Sequence, residues 1–206
     1  MTILKLLLLL SCMGHILCGI GDCLMTYTPK GKFQFSDMNC NDKMSATFEG
    51  MPLQNLISAT LLGVLAFSIY SFGYLALCKW VGQFSYICSV IMTVAVLLYL
   101  ISITAHHVIC GAVEWFYVRL DRTADALNAV MEFFKKTAIT MYVGYFSLLV
   151  FAVAFMAVVV TGHTSLPRWA CIFNTLPLFL VLAPTKAPAK GNIAGAVMFL
   201  GLALLI

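Results

Sequence analysis

The stretch FSYICSVIMTVAVLLYLISITA, residues 84–105, decides the fold of this 206-residue chain. It holds no charged side chain, and about 20 apolar residues in a helix are enough to cross a hydrocarbon layer roughly 30 Å thick. In the whole chain, 62% of residues are hydrophobic and 10% are charged, with a mean hydropathy of +1.00. Soluble domains carry about a quarter charged residues, so this chain is predicted to lie in a membrane.

Five further stretches are similarly apolar, and residues 84–105 are the third of the six in chain order. The other five lie at about 3–24, 53–77, 137–160, 169–183 and 191–206. Because the segments between them are short, the six stretches predict one all-α domain, residues 1–206, built as a bundle of about six transmembrane helices. Pro177, inside the fifth stretch, is expected to bend that helix, since a proline leaves the carbonyl one turn earlier without its N–H donor.

The sequence also predicts the structure of three segments outside these stretches. The third stretch continues in helix-compatible sequence to residue 120, so its helix is expected to extend beyond the membrane. The segment Asp121–Lys136 carries apolar residues on one face and charges on the other, which fits an interfacial amphipathic helix as well as a simple connector. The segment Thr26–Pro52 is rich in polar residues and is interpreted as a loop.

The first stretch begins like a signal peptide. Lys5 precedes a run of leucines, and Leu-Leu-Ser-Cys ending at Cys12 resembles a lipoprotein cleavage site. However, a leucine stands where a small residue is favoured, and apolar sequence continues to Met25. The stretch is therefore interpreted as a retained span.

The basic residues predict the orientation of the bundle. Nine of the twelve Lys and Arg residues lie in the first, third and fifth loops, and the other three are Lys5, Lys79 and Arg168. The nine are Lys30, Lys32, Lys43, Arg119, Arg122, Lys135, Lys136, Lys186 and Lys190. Because short cytoplasmic loops are enriched in Lys and Arg, these loops are predicted to be cytoplasmic and both termini to lie outside, in a plasma or inner membrane.

The same placement explains the formal net charge of +4. The expected partner is the lipid bilayer, and no nucleic-acid partner is expected. Arg168 and Trp169, at the start of the fifth stretch, are candidate headgroup anchors. The sequence predicts no oligomeric state.

Ionisable residues inside apolar segments are the candidates for function, because the bilayer penalises idle charges. His15 and Asp22 are seven residues apart, as are His107 and Glu114. Seven residues are close to two helical turns, so the members of each pair share a helix face.

Five residues are predicted to line a pocket that opens to the cytoplasm: Asp22, His106, His107, Glu114 and Asn192. A structural interpretation stays open beside this one, in which Asp22 ends its span near water and each histidine bonds a carbonyl of a neighbouring helix.

A carboxylate beside a histidine forms a proton relay or an acid/base pair. The candidate catalytic residues are Asp22, His106 and Glu114. The candidate ligand-binding residues are Asp22, His106, His107, Glu114, Asn174 and Asn192. No Gly-x-Ser-x-Gly motif and no zinc-type Cys/His spacing occurs, and adjacent histidines point about 100° apart on a helix. No metal and no cofactor is therefore expected.

A set of short motifs, in chain order, resembles a family of small multi-pass membrane proteins, mostly bacterial and of unknown function. The motifs are Gly21-Asp22, Ala105-His106, the segment from Thr161-Gly162 to Pro167-Arg168-Trp169, Phe173-Asn174, and Asn192. This chain has Thr175 where the family usually has proline after Phe-Asn, with Pro177 two residues later. The resemblance implies a fold and candidate positions, and carries over no activity.

Three functions fit the sequence. The first is binding or transport of a small or lipidic molecule, with Asp22 and His106 as a proton-linked site. The second is a membrane-embedded acid/base enzyme, of the isomerase or cyclase type, that acts on an apolar substrate. The third is a structural or partner subunit whose polar residues form only interhelical hydrogen bonds.

Overall fold

The protein is a bundle of α-helices, as the sequence predicts. A computed structural model describes residues 2–206. The helices are α1 (Ile3–Thr26), α2 (Asn41–Thr47), α3 (Leu53–Val81), α4 (Tyr86–Arg119), α5 (Ala124–Thr137), α6 (Ile139–Val160), α7 (Thr175–Leu182) and α8 (Lys190–Leu205). Four of them, α1, α3, α4 and α6, are long and apolar enough to cross a membrane, and α8 is a shorter apolar helix.

Helix α1 packs against α3 and α8, α3 packs against α4, and α4 packs against α6. The contact between α1 and α3 is close because Gly14 faces the backbone of Tyr70, where a Cβ would lie only 2.8 Å from the Tyr70 nitrogen. Ser11 fastens the same two helices, since its hydroxyl donates to the Tyr70 carbonyl at 2.6 Å and accepts from the Gly73 N–H at 2.8 Å.

The fifth predicted span is not one continuous helix. A 3-10 turn at Arg168–Ile172 is followed by a break, and α7 then runs for eight residues. The break lies at Phe173 and Asn174, upstream of Pro177. Pro177 falls in the first turn of α7, where backbone N–H groups have no intrahelical acceptor. It is therefore compatible with the start of this helix and does not bend a longer one.

The segment Thr26–Pro52 is folded, and its interpretation as a polar loop was wrong. A two-stranded hairpin pairs β1 (Tyr27–Thr28) with β2 (Gly31–Lys32), and a 3-10 turn leads into α2. Several apolar side chains of this otherwise polar segment are buried against the ends of α1 and α4. They are Phe33, Met44, Phe48 and Met51, which pack with Met25 and Tyr117.

Two helices occupy the chain between the third and fourth stretches. Helix α4 extends to Arg119, and α5 occupies most of the predicted amphipathic segment. The Thr123 hydroxyl caps α5 by accepting from the Ala126 N–H at 3.2 Å. Leu127 and Val130 are buried on the face that packs toward α4.

Candidate functional site

A cavity of about 1070 Å³ runs into the bundle from the end that carries the three basic loops. One face of α1 lines it through His15, Cys18, Asp22 and Met25. These residues are spaced by three or four, and at 1.5 Å per residue they extend along about 15 Å of the helix. The opposite walls come from α3, α4, α5, α6 and the start of α8.

The inner end of the cavity is formed by three tyrosines around His15. The Tyr70 and Tyr99 hydroxyls are 3.0 Å apart and share a hydrogen bond. The His15 ring stacks on Tyr70 with 4.2 Å between the ring centroids, and its Nε2 lies 3.3 Å from the Tyr74 hydroxyl. His15 is 2% exposed, so this end is closed.

A chain of hydrogen bonds leads from His15 to Asp22 through Asn192, at the start of α8. His15 Nδ1 lies 3.0 Å from the Asn192 Oδ1, and Asn192 Nδ2 donates to the Asp22 carboxylate at 2.7 Å. Because an amide oxygen only accepts, the His15 proton lies on Nδ1. His15 Nε2 then accepts from the Tyr74 hydroxyl.

His107 faces the other oxygen of the same carboxylate. Its Nε2–H donates to the Ala59 carbonyl at 3.3 Å, and its Nδ1 lies 3.8 Å from the Asp22 Oδ1. Since the Ala59 carbonyl holds one ring proton on Nε2, the ring gains a proton on Nδ1 only by becoming an imidazolium. The arrangement of Asp22 and His107 could therefore hold one additional proton between them.

The two partners of this pair differ in access. The Asp22 side chain is 31% exposed and lines the cavity, whereas the His107 side chain is 6% exposed. A molecule in the cavity would therefore meet the carboxylate first, and the histidine would act behind it.

Glycines make room for both imidazole rings. A Cβ at Gly63 would overlap the His107 ring, and a Cβ at Gly195 would overlap the His15 ring. Any larger residue at either position would displace the histidine that faces it.

The chain matches the family of unknown function DUF6796 over residues 1–205. The protein belongs to DUF6796. This match confirms the membership of a family of unknown function that the short motifs predicted. All residues that line the cavity lie within the matched range. No curated protein and no solved structure matches the chain.

In this DUF6796 member, the five residues predicted to share a pocket all line the same cavity: Asp22, His106, His107, Glu114 and Asn192. The partner of Asp22 is His107, whereas the sequence interpretation paired Asp22 with His106. Adjacent helical residues point about 100° apart, so only one of the two histidines faces α1. His106 instead lies near α6, with its Nδ1 3.5 Å from the Thr140 hydroxyl.

The remaining candidates occupy different environments. Glu114 lines the cavity, and its Oε2 is a buried atom with no hydrogen-bond partner among the described residues. Asn174 lies outside the cavity lining, where its Oδ1 caps α7 by accepting from the Leu176 N–H at 2.9 Å. Arg168 and Trp169 also lie outside the lining, and Trp169 is 55% exposed.

Sequence reasoning missed several polar side chains of the cavity, among them Tyr70, Tyr74, Tyr99, Lys32, Lys186 and Lys190. Tyr70 and Tyr74 did carry a signal, because a phenol inside an apolar helix needs a hydrogen-bond partner and four residues place two of them on one face. The lysines were counted for orientation alone. Nothing in their local sequence indicates that they border a cavity.

Proposed function

We propose that this DUF6796 member is an integral membrane protein that binds a small or lipidic molecule in its cavity, for transport or delivery, and links binding to a proton on Asp22 and His107. One observation carries this proposal. The residues of the proton site, contributed by helices far apart in sequence, converge on a large cavity reachable from one end of the bundle.

The size and lining of the cavity favour binding over a purely structural role. Ligand sites usually have volumes of about 300–1,000 Å³ and mostly apolar walls with a few placed polar groups. This cavity, of about 1070 Å³, lies just above that range. A structural role predicts polar groups that meet only one another. Here Asp22 is partly open to the cavity, and one oxygen of Glu114 has no partner among the described residues.

The proton site supports a coupled event. When His107 is an imidazolium, the Asp22 carboxylate faces a positive charge and is partly neutralised by it. When His107 is neutral, the same carboxylate presents its charge to the cavity. A ligand that prefers one of these states changes the affinity of the pair for a proton, and the proton changes the affinity for the ligand by the same factor.

The experiment is the recovery of bound lipid or metabolite from the purified full chain, identified by mass spectrometry, in wild type, Asp22→Asn and His107→Gln. We expect each variant to retain about a tenth of the bound molecule or less, because a buried hydrogen bond to a charged group contributes roughly 1.5–3 kcal/mol. Rebinding by the wild type should change between mildly acid and mildly alkaline buffer. Both variants should lose that change.

His163→Gln is the matched control, since His163 lies in an exposed turn outside the cavity lining. It should leave the bound molecule and its pH dependence as in the wild type. Unaltered occupancy and unaltered pH dependence in both site variants would exclude the proposed site. Recovery of a chemically altered product after incubation would instead assign the pair to an acid/base enzyme.

The orientation gives a second test. The cavity mouth lies among the three basic loops, so it opens to the cytoplasm if those loops follow the excess of Lys and Arg. Fluorescent-protein reporters inserted at residues 27–52 and 120–123 should be active in the cytoplasm, and alkaline phosphatase at the same positions should be inactive. Phosphatase activity at either position contradicts the orientation.

A further inference from the structure

Three lysines border the mouth of the cavity. Lys32 comes from β2, Lys186 from the segment before α8, and Lys190 from the first residue of α8. The fold brings these residues together from the first and last loops of the chain. Their shared position is therefore a property of the folded mouth and is independent of local sequence.

None of these three lysines has a carboxylate partner among the described residues, in contrast to two other lysines at the same end of the bundle. Lys30 pairs with Glu49 at 3.0 Å, and this hydrogen bond holds the pKa of Glu49 below its ordinary value. Lys136 pairs with Glu132 on α5. Neither Lys30 nor Lys136 lines the cavity. The positive charges of the three lysines at the mouth are therefore not neutralised by ion pairs within the described part of the chain.

The surroundings of Lys190 add to this positive character. Its ammonium donates one hydrogen bond to the Ala183 carbonyl at 2.6 Å, which leaves two of its three donors free. The backbone N–H groups of Lys190 and Gly191 have no backbone acceptor. They lie at the positive end of the α8 dipole, which adds to the attraction of the lysines for an anion.

The wall behind the mouth is apolar and adaptable. It is lined by Met25, Met38, Met44, Met131, Phe33 and Phe134. Methionine side chains adjust to irregular apolar molecules. This wall therefore suits a hydrocarbon chain and offers no favourable contact to a small free anion. Among the described residues, the cavity lining contains no lysine or arginine besides Lys32, Lys186 and Lys190. An anionic group is therefore retained at the mouth.

We propose that the ligand is an amphipathic anion, with its phosphate or carboxylate bound by Lys32, Lys186 and Lys190 and its hydrocarbon part lying along the methionine and phenylalanine wall. This inference rests on the proposed function and names the chemical class of the ligand. It assigns the three lysines a recognition role beyond setting the orientation of the bundle.

The test compares two triple variants of the full chain in neutral detergent. The first replaces Lys32, Lys186 and Lys190 by glutamine. The control replaces Lys43, Arg119 and Lys135 by glutamine. These residues are exposed at the same end of the bundle, have no carboxylate partner among the described residues and lie outside the cavity lining, so the control removes the same charge. Native mass spectrometry measures the binding of dioleoylphosphatidylglycerol, with dioleoylphosphatidylcholine as the neutral probe and glycerol 3-phosphate as the anion without a chain.

Wild type should bind the phosphatidylglycerol more tightly than the phosphatidylcholine, and glycerol 3-phosphate should not displace it. The cavity triple should weaken phosphatidylglycerol binding about 100-fold, from roughly fivefold for each lysine, and the same three positions changed to arginine should restore most of it. The control triple should change it less than about threefold, since exposed charges away from the bound group are screened by salt.

Each contrary result overturns a distinct part of the proposal. Equal losses in the two triples would mean general attraction to a basic surface, and displacement by glycerol 3-phosphate would mean a site for a free anion. Equal binding of both lipids, unaffected by the cavity triple but lost in Asp22→Asn, would remove the anion and leave the proposed function intact. Binding of neither lipid, together with an empty purified protein, would reject both.

Discussion

Gly63→Ala is expected to destabilise the protein by about 1–2 kcal/mol and to weaken the ligand binding proposed for the cavity. The new Cβ would overlap the His107 imidazole. Overpacking typically costs about 1–3 kcal/mol, and the higher helix propensity of alanine offsets about 1 kcal/mol of this cost. Because the ring is held between Gly63 and the Asp22 carboxylate, its displacement also separates the two groups of the proton site. Unfolding in denaturant, followed by fluorescence in detergent, measures the loss of stability.

Gly19→Ala is the matched control on α1. A Cβ there would make ordinary contacts at 3.6 Å with Ala189 and Asn192, and alanine has a higher helix propensity than glycine by about 1 kcal/mol. This variant should be neutral or slightly more stable than the wild type.

The double variant Gly63→Ala/His107→Ala separates the steric cause from any other. Once the imidazole is absent, the added methyl group should have little further effect, so the two substitutions should be strongly non-additive. If Gly63→Ala costs as much in the His107→Ala background as alone, the overlap with the ring is not the cause.

Asn174→Leu is expected to cost about 3 kcal/mol and to loosen the junction of α6 and α7. Asn174 is fully buried. Its Nδ2 donates to the Ala152 carbonyl at 2.8 Å and its Oδ1 caps the Leu176 N–H. Loss of an N-cap costs about 1 kcal/mol, and a buried acceptor, here the Ala152 carbonyl, that loses its side-chain donor costs roughly 1–3 kcal/mol more. Thermal unfolding in detergent measures the effect.

Asn174→Ser divides this effect into its two parts. A serine keeps the N-cap of α7 but is too short to reach the Ala152 carbonyl, so it should recover about 1 kcal/mol relative to Asn174→Leu. Equal destabilisation by serine and leucine would show that the cap contributes nothing. Hydrogen exchange of the Leu176 amide should be fast in the leucine variant alone.

The long helices could be predicted because their signal is local. Membrane length and apolar composition locate α1, α3, α4 and α6 from sequence alone, and the seven-residue spacing of His15 and Asp22 places both on one helix face. The choice between His106 and His107 could not be made in this way. It depends on which side of α4 packs against α3, and the apolar composition of α4 contains no clear record of that packing.

Other features depend on contacts made after the helices assemble. The break before α7 follows from Asn174, whose side chain bonds α6 and caps α7 at once. An asparagine inside an apolar stretch does not by itself distinguish a cap from a ligand. Phe33 and Phe48 were similarly hidden among polar residues, since a small core needs only a few apolar side chains at irregular spacing.

The hydrogen bonds of Asn192 can form only late in the synthesis of the chain. The residue bonds His15, 177 positions earlier, and Asp22, 170 positions earlier. At roughly 5–20 residues per second, a ribosome takes about 9–35 s to cover the first of these separations. During that interval His15 and Asp22 lack their amide partner. The nascent chain must therefore keep α1 hydrated or shielded until α8 emerges.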